Sequence, residues 1–132
     1  MDIVLQTHTS DPSLALLDIT RSAGFGYVAR LQVRSRGFML DRAFYFDETG
    51  LVDFLAAVNS MDRTLVGFAE LRHPYKDDFL RLELSPGGSI SVTGESREHS
   101  DLDQMLRFGF VTDQTVLGPF SRALRAALGT AN

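Results

Sequence analysis

The feature that most constrains this chain is a strict alternation of apolar and polar residues in four separate segments. In Tyr27–Ser35, Ala29, Leu31 and Val33 alternate with Val28, Arg30, Gln32 and Arg34. Phe79–Ser85 sets Leu80, Leu82 and Leu84 against Arg81 and Glu83, and Gln104–Thr112 sets Leu106, Phe108 and Phe110 against Arg107 and Gly109. In Ala43–Asp47, Phe44 and Phe46 point one way and Tyr45 the other. Successive side chains leave a strand on opposite faces, so a period of two with one polar face is the pattern of a half-buried antiparallel strand. Ile3–His8, Ala15–Thr20, Thr64–Leu71 and Ser89–Arg97 read as strands on shorter patterns. Turn residues separate the segments at Ser10-Asp11-Pro12, Ser22-Ala23-Gly24, His73-Pro74, Pro86-Gly87-Gly88 and His99-Ser100-Asp101.

Two stretches switch to helical spacing. In Glu48–Met61 the apolar residues Leu51, Phe54, Leu55, Val58 and Met61 form one stripe, and Asp47 stands before it as an N-cap. In Leu117–Leu128 the stripe is Leu117, Phe120, Leu124, Ala127 and Leu128. Thr112-Asp113-Gln114-Thr115 supplies capping side chains there, Pro119 fits only the first turn, and Gly129 is expected to close the helix. The order is four strands, a helix, four strands, a helix. Sliding the chain on itself by about 65 residues superposes the two halves, as a duplicated ββββα unit would. That shift brings Leu14, Leu17 and Ile19 onto Phe79, Leu82 and Leu84. The expected fold is α+β: an antiparallel sheet of about eight strands with both helices on one face, built as a single domain over residues 1–132. Phe44, Phe46, Phe54, Phe108, Phe110, Phe120, Leu51, Leu117 and Leu124 are the expected core. An open sheet or one curled toward a barrel both satisfy this pattern.

Several function classes drop out. The chain has no cysteine, which removes disulfides, thiol nucleophiles and Cys-ligated metals. A net charge of −4 disfavours nucleic-acid or membrane binding through a positive field. No apolar run reaches the roughly 20 residues of a membrane span, and the opening MDIVLQTHTSDPS has no signal-peptide pattern, so a cytoplasmic protein is expected. Lys76 is the one lysine among thirteen basic residues; coding composition is the expected reason for this excess of arginine, and bidentate recognition of carboxylate or phosphate is the alternative.

The motifs are sparse. Gly24-Phe25-Gly26-Tyr27-Val28-Ala29 reads as G-x-G-x-x-A, but a strand pattern follows it where a dinucleotide site needs a helix N-terminus. A hairpin turn is the better reading. His8, His73 and His99 share no metal-ligand spacing, and no serine lies in a nucleophile motif. No cofactor, metal or catalytic set is therefore expected. Two surfaces are candidates for binding a partner. One is acidic, Asp77 and Asp78 with Glu95, Glu98, Asp101 and Asp103. The other is the outward strip Arg30, Gln32, Arg34 and Arg36, joined by Tyr45 and Arg107 if these face the same way.

Phe44-Tyr45-Phe46-Asp47 through Leu55, and Leu106-Arg107-Phe108-Gly109-Phe110 through Phe120, carry a resemblance. Residues 40–125 resemble the small bacterial proteins grouped as WapI-like immunity proteins, and the N-terminal third shows no family motif. The resemblance implies an antidote that binds and occludes a bacterial toxin, often a nuclease, and it carries no catalytic residues across. The leading expectation is thus a non-enzymatic module that binds a protein partner, such as a basic toxin domain. Two alternatives stand beside it: a small-molecule binder or enzyme with a pocket between sheet and helices, and a homodimer joined through the open face or an edge strand.

Overall fold

The computed structural model describes residues 1–22, 24 and 26–131. Strands β1 (Ile3–Leu5), β2 (Ser13–Arg21), β3 (Gly26–Ser35) and β4 (Phe38–Asp47) lead into helix α1 (Glu48–Thr64). Strands β5 (Gly67–Arg72), β6 (Phe79–Leu84), β7 (Ser89–Glu98) and β8 (Gln104–Asp113) lead through one 3-10 turn, Gln114–Val116, into α2 (Leu117–Ala131). All strand pairs are antiparallel, and the fold is α+β. The eight strands are divided evenly between two sheets, ordered β1-β2-β3-β4 and β5-β6-β7-β8.

The two halves repeat one element order, and each strand of the second begins 63 to 66 residues after its counterpart. β4 and β8 hold equivalent edge positions and share Met-Leu (Met39-Leu40, Met105-Leu106), a phenylalanine (Phe44, Phe110) and a closing aspartate (Asp47, Asp113). Those aspartates do the same work. Each caps the helix that follows: Asp47 accepts from the Gly50 N–H at 2.7 Å and Asp113 from the Thr115 N–H at 2.9 Å.

One core cluster draws on both sheets and both helices. The first sheet contributes Leu14, Leu16, Tyr27, Leu31, Phe44 and Phe46, the second Leu71, Leu80, Leu82, Ile90, Val92 and Phe108. The helices add Leu51, Phe54, Val58 and Met61 from α1 and Leu117, Phe120, Leu124 and Ala127 from α2. The helices pack on each other and cross between halves, α1 lying along β5 and α2 along β1. Both short edge strands are thereby covered, which leaves the ten-residue edges β4 and β8 as the long ones.

Three details differ from the sequence pattern, each for a local reason. Phe110 is only half-buried, because β8 is an edge strand. Leu17 is half-buried while Leu16 is fully buried. Asp18 takes a left-handed conformation (φ 53°) at a register shift between Leu17 and Thr20, and the alternation restarts at Ile19. Gly129 does not end α2, which continues to Ala131. Among the described residues, no helix is long and apolar enough to cross a membrane.

Candidate functional site

Register places the outward residues. On the first sheet Arg30, Gln32, Arg34, Val28 and Tyr45 share the outer face, opposite the buried Ala29, Leu31 and Val33. Arg30 pairs with Asp41 at 2.8 Å, and Gln32 bonds the same carboxylate at 3.3 Å. Arg34 makes no ion pair with a described residue, and Arg36 occupies the β3–β4 turn (φ 50°) with its N–H donating to Asp11 at 3.1 Å. Arg107 is not part of this strip. It lies on the second sheet, across from Glu95 at 3.4 Å, because β8 belongs to the other sheet.

The outer face of the second sheet is a self-satisfied ladder. Arg81 bonds Glu70 at 3.3 Å and lies 4.0 Å over the Phe68 ring, and Arg72 lies 5.0 Å over Phe79. Cross-strand pairs of this kind stabilise an open face without reserving it for a partner.

The acidic set is largely engaged within the molecule. Asp78 is buried, which removes it from any binding surface; its carboxylate accepts the Arg97 N–H at 3.3 Å and its carbonyl the His73 N–H at 3.0 Å. Glu95 pairs with Arg107, Glu98 with Arg42 at 2.6 Å, and Asp103 with Arg97 at 3.1 Å. Asp77 and Asp101 are exposed and make no ion pair with a described residue. The six residues therefore do not form one free negative patch.

Two other motifs resolve on geometry. Gly24 (φ 83°) sits in the turn between β2 and β3, closed by the Ser22 N–H donating to the Gly26 carbonyl at 2.9 Å. A strand follows it, as a hairpin requires, while Ala23 and Phe25 lie outside the described residues. His8, Asp113 and Thr115 come together, but His8 Nε2 faces both Asp113 (2.8 Å) and the Thr115 hydroxyl (3.4 Å). A nucleophile relay needs the carboxylate and the hydroxyl on different ring nitrogens, so this cluster is a helix entry. Bonds from the Thr115 hydroxyl, the Thr115 N–H and His8, in that order, hold the Asp113 carboxyl below its usual value, although desolvation acts the other way. His73 and His99 are apart from it, and among the described residues no group of three or more acids and histidines is placed to hold a metal.

The arrangement with the most chemistry joins the two halves. Tyr45, on the outer face of β4, stacks on Tyr75 of the β5–β6 loop, with ring centroids 6.4 Å apart and planes inclined at 21°. His73 completes the cluster at 5.5 Å from Tyr45 and 6.2 Å from Tyr75. Gly26 makes room for it: a Cβ there would overlap the Tyr45 ring and hydroxyl. The second glycine of the G-x-G motif thus serves an aromatic ring, not a phosphate. The two tyrosine rings border a cleft of about 600 Å³ whose other walls are Asp47, Glu48, Thr49 and Val52 at the start of α1. Tyr75 is 84% exposed, an unusual position for a large aromatic side chain to be held in by stacking. Asp47 spends one oxygen on its cap, and Glu48 stands 3.7 Å from Arg21. Aromatic faces beside carboxylates attract a cation. Tyr45 stood among the sequence candidates, whereas Tyr75 did not, since a loop tyrosine thirty residues away carries no periodic signal.

The Tyr75 N–H donates to His73 Nδ1 at 3.0 Å, which requires that nitrogen to be unprotonated. Burial lowers the His73 value from 6.5, Lys76 acts in the same direction, and Asp78 opposes both. The unfolded chain therefore takes up this proton more readily than the folded one. The contribution is present above pH 6.5 and is lost as pH falls through the lowered folded value. His73→Gln should flatten the melting temperature against pH between pH 6.5 and the lowered folded value, relative to the parent protein. Equal slopes for the two proteins would show that His73 does not couple to folding.

Comparison with protein-family models, with curated proteins and with solved structures found no match.

Proposed function

We propose that this protein is a protein-binding module of the immunity-protein kind, which holds and occludes a basic partner such as a toxin domain. The half-buried Tyr45 and His73, capped by the exposed Tyr75 and set beside Asp47 and Glu48, carry the reading. Interface hot spots are rich in tyrosine, and a pair of rings flanked by carboxylates suits an arginine or lysine side chain of the partner. The net charge of −4 supports attraction of a basic protein, since complementary fields steer association. A nuclease toxin would be basic because its own substrate is a polyanion. The outer face of the first sheet, with Arg30, Gln32 and Arg34, adjoins Tyr45 and supplies the polar rim.

The test is to isolate the partner by affinity purification from the native cell and measure binding of variants to it. Tyr45→Ala and Tyr75→Ala should each weaken binding by about 30-fold or more, the scale of a hot-spot truncation. Glu48→Gln should slow association and reduce its salt dependence. If both tyrosine variants bind normally while Arg34→Ala abolishes binding, the interface is the arginine strip and the cleft reading fails. A partner with an acidic binding surface would overturn the electrostatic part.

A further inference from the structure

Among the twelve arginines, seven have a carboxylate of a described residue at ion-pair distance: Arg21, Arg30, Arg42, Arg72, Arg81, Arg97 and Arg107. The other five are Arg34, Arg36, Arg63, Arg122 and Arg125, and three of these line one groove of about 500 Å³ between α1 and α2. This concentration follows from helix geometry. Asn59 and Arg63 are one turn apart on α1, Ser121 and Arg125 one turn apart on α2, and the two pairs face each other where the helices pack.

The polar network at the floor of the groove settles what it can offer. The buried Ser121 hydroxyl donates to Asn59 Oδ1, and Arg125 donates to the same oxygen at 3.3 Å. With its oxygen engaged twice, Asn59 has its amide N–H groups left to donate. Donors therefore dominate the groove: three guanidinium groups and an amide, against Asp62 as the only carboxylate among the described residues on its wall. Three positive charges against one negative leave two, which a phosphate dianion neutralises. Guanidinium forks match the oxygen geometry of such an anion. Among the described residues no aromatic side chain lines the groove, so it offers a nucleobase no ring to stack on there.

We propose that the α1–α2 groove is a binding site for a phosphate-type oxyanion, separate from the aromatic cleft. Titration calorimetry with inorganic phosphate and with pyrophosphate, at ionic strength held constant with sodium chloride, tests it. Saturable binding is expected, tenfold or more weaker in the Arg122→Gln/Arg125→Gln variant. It should be unchanged in Arg34→Gln/Arg36→Gln, which removes two free arginines elsewhere. Arg122→Lys/Arg125→Lys keeps the charge but loses the fork, and should bind more weakly than the parent protein. Absence of saturable binding by either anion would overturn the proposal, as would equal losses in the two glutamine variants, which would mark a diffuse charge effect. Hexaglutamate binding more tightly than pyrophosphate would reassign the groove to an acidic protein surface.

Discussion

Phe120→Ala should cost about 3–5 kcal/mol of unfolding free energy, the usual figure for emptying a buried aromatic site. Phe120 is fully buried and meets Phe54 edge to face, with centroids 6.0 Å apart and planes at 87°. Its removal opens a void where α1 and α2 pack on each other, and both helices contribute to the core shared by the two sheets. Few partners can collapse into such a void, since fixed elements surround it. Phe38→Ala is the control: that ring is 69% exposed, and its loss should stay within about 0.5 kcal/mol. Phe110→Ala, at a half-buried edge position, should fall between the two. Chemical denaturation of the three variants measures this ordering, and a Phe120 variant no weaker than the Phe110 one would contradict the core assignment.

Gly94→Ala is the second large effect, and it runs against the usual preference for alanine over glycine inside a strand. Gly94 is a buried inner-face position of β7, paired with Leu80 and Phe108. The Phe108 ring folds over it, so a Cβ would overlap that ring and stand 2.6 Å from the Phe79 carbonyl oxygen. Backbone cannot yield there without disturbing β6, and the ring has little room to turn. A loss of about 1–3 kcal/mol is expected, as for other overpacked interiors. Gly109→Ala on β8 provides the comparison, because its nearest neighbours would be at 3.6 Å, an ordinary contact. That variant should be neutral or slightly stabilising. Similar melting temperatures for the two alanine variants would show that Phe108 repacks freely.

Strand and helix identities were legible because burial imposes its period directly on the residues. Leu80, Leu82 and Leu84 alternate with Arg81 and Glu83, and they lie on opposite faces of β6 as that spacing demands. Asp47 and Asp113 were legible as caps for the same local reason. Alternation states which side chains share a face, but it says nothing about which strand lies alongside. The division into two sheets, and the separation of Arg107 from the Arg30 strip, therefore had no signal. Asp78 read as part of an outward acidic surface because its partner there is the Arg97 N–H, nineteen residues away in sequence. Gly26 and Gly94 read as turn and strand glycines, while their purpose lies in rings that arrive from other strands. The cleft was half-visible. Tyr45 faces outward by register, and only the fold of the second half brings Tyr75 and His73 beside it.

The crossing of the helices has a consequence for recognition as well as for packing. α1 closes over β5 and α2 over β1, so each half lends its helix to the other. The aromatic pair divides in the same way, with Tyr45 supplied by one half and Tyr75 by the other. A chain with only one half in place presents a single tyrosine and no cleft. On the proposed function, affinity for a partner would belong to the interlocked whole and not to a fragment of it.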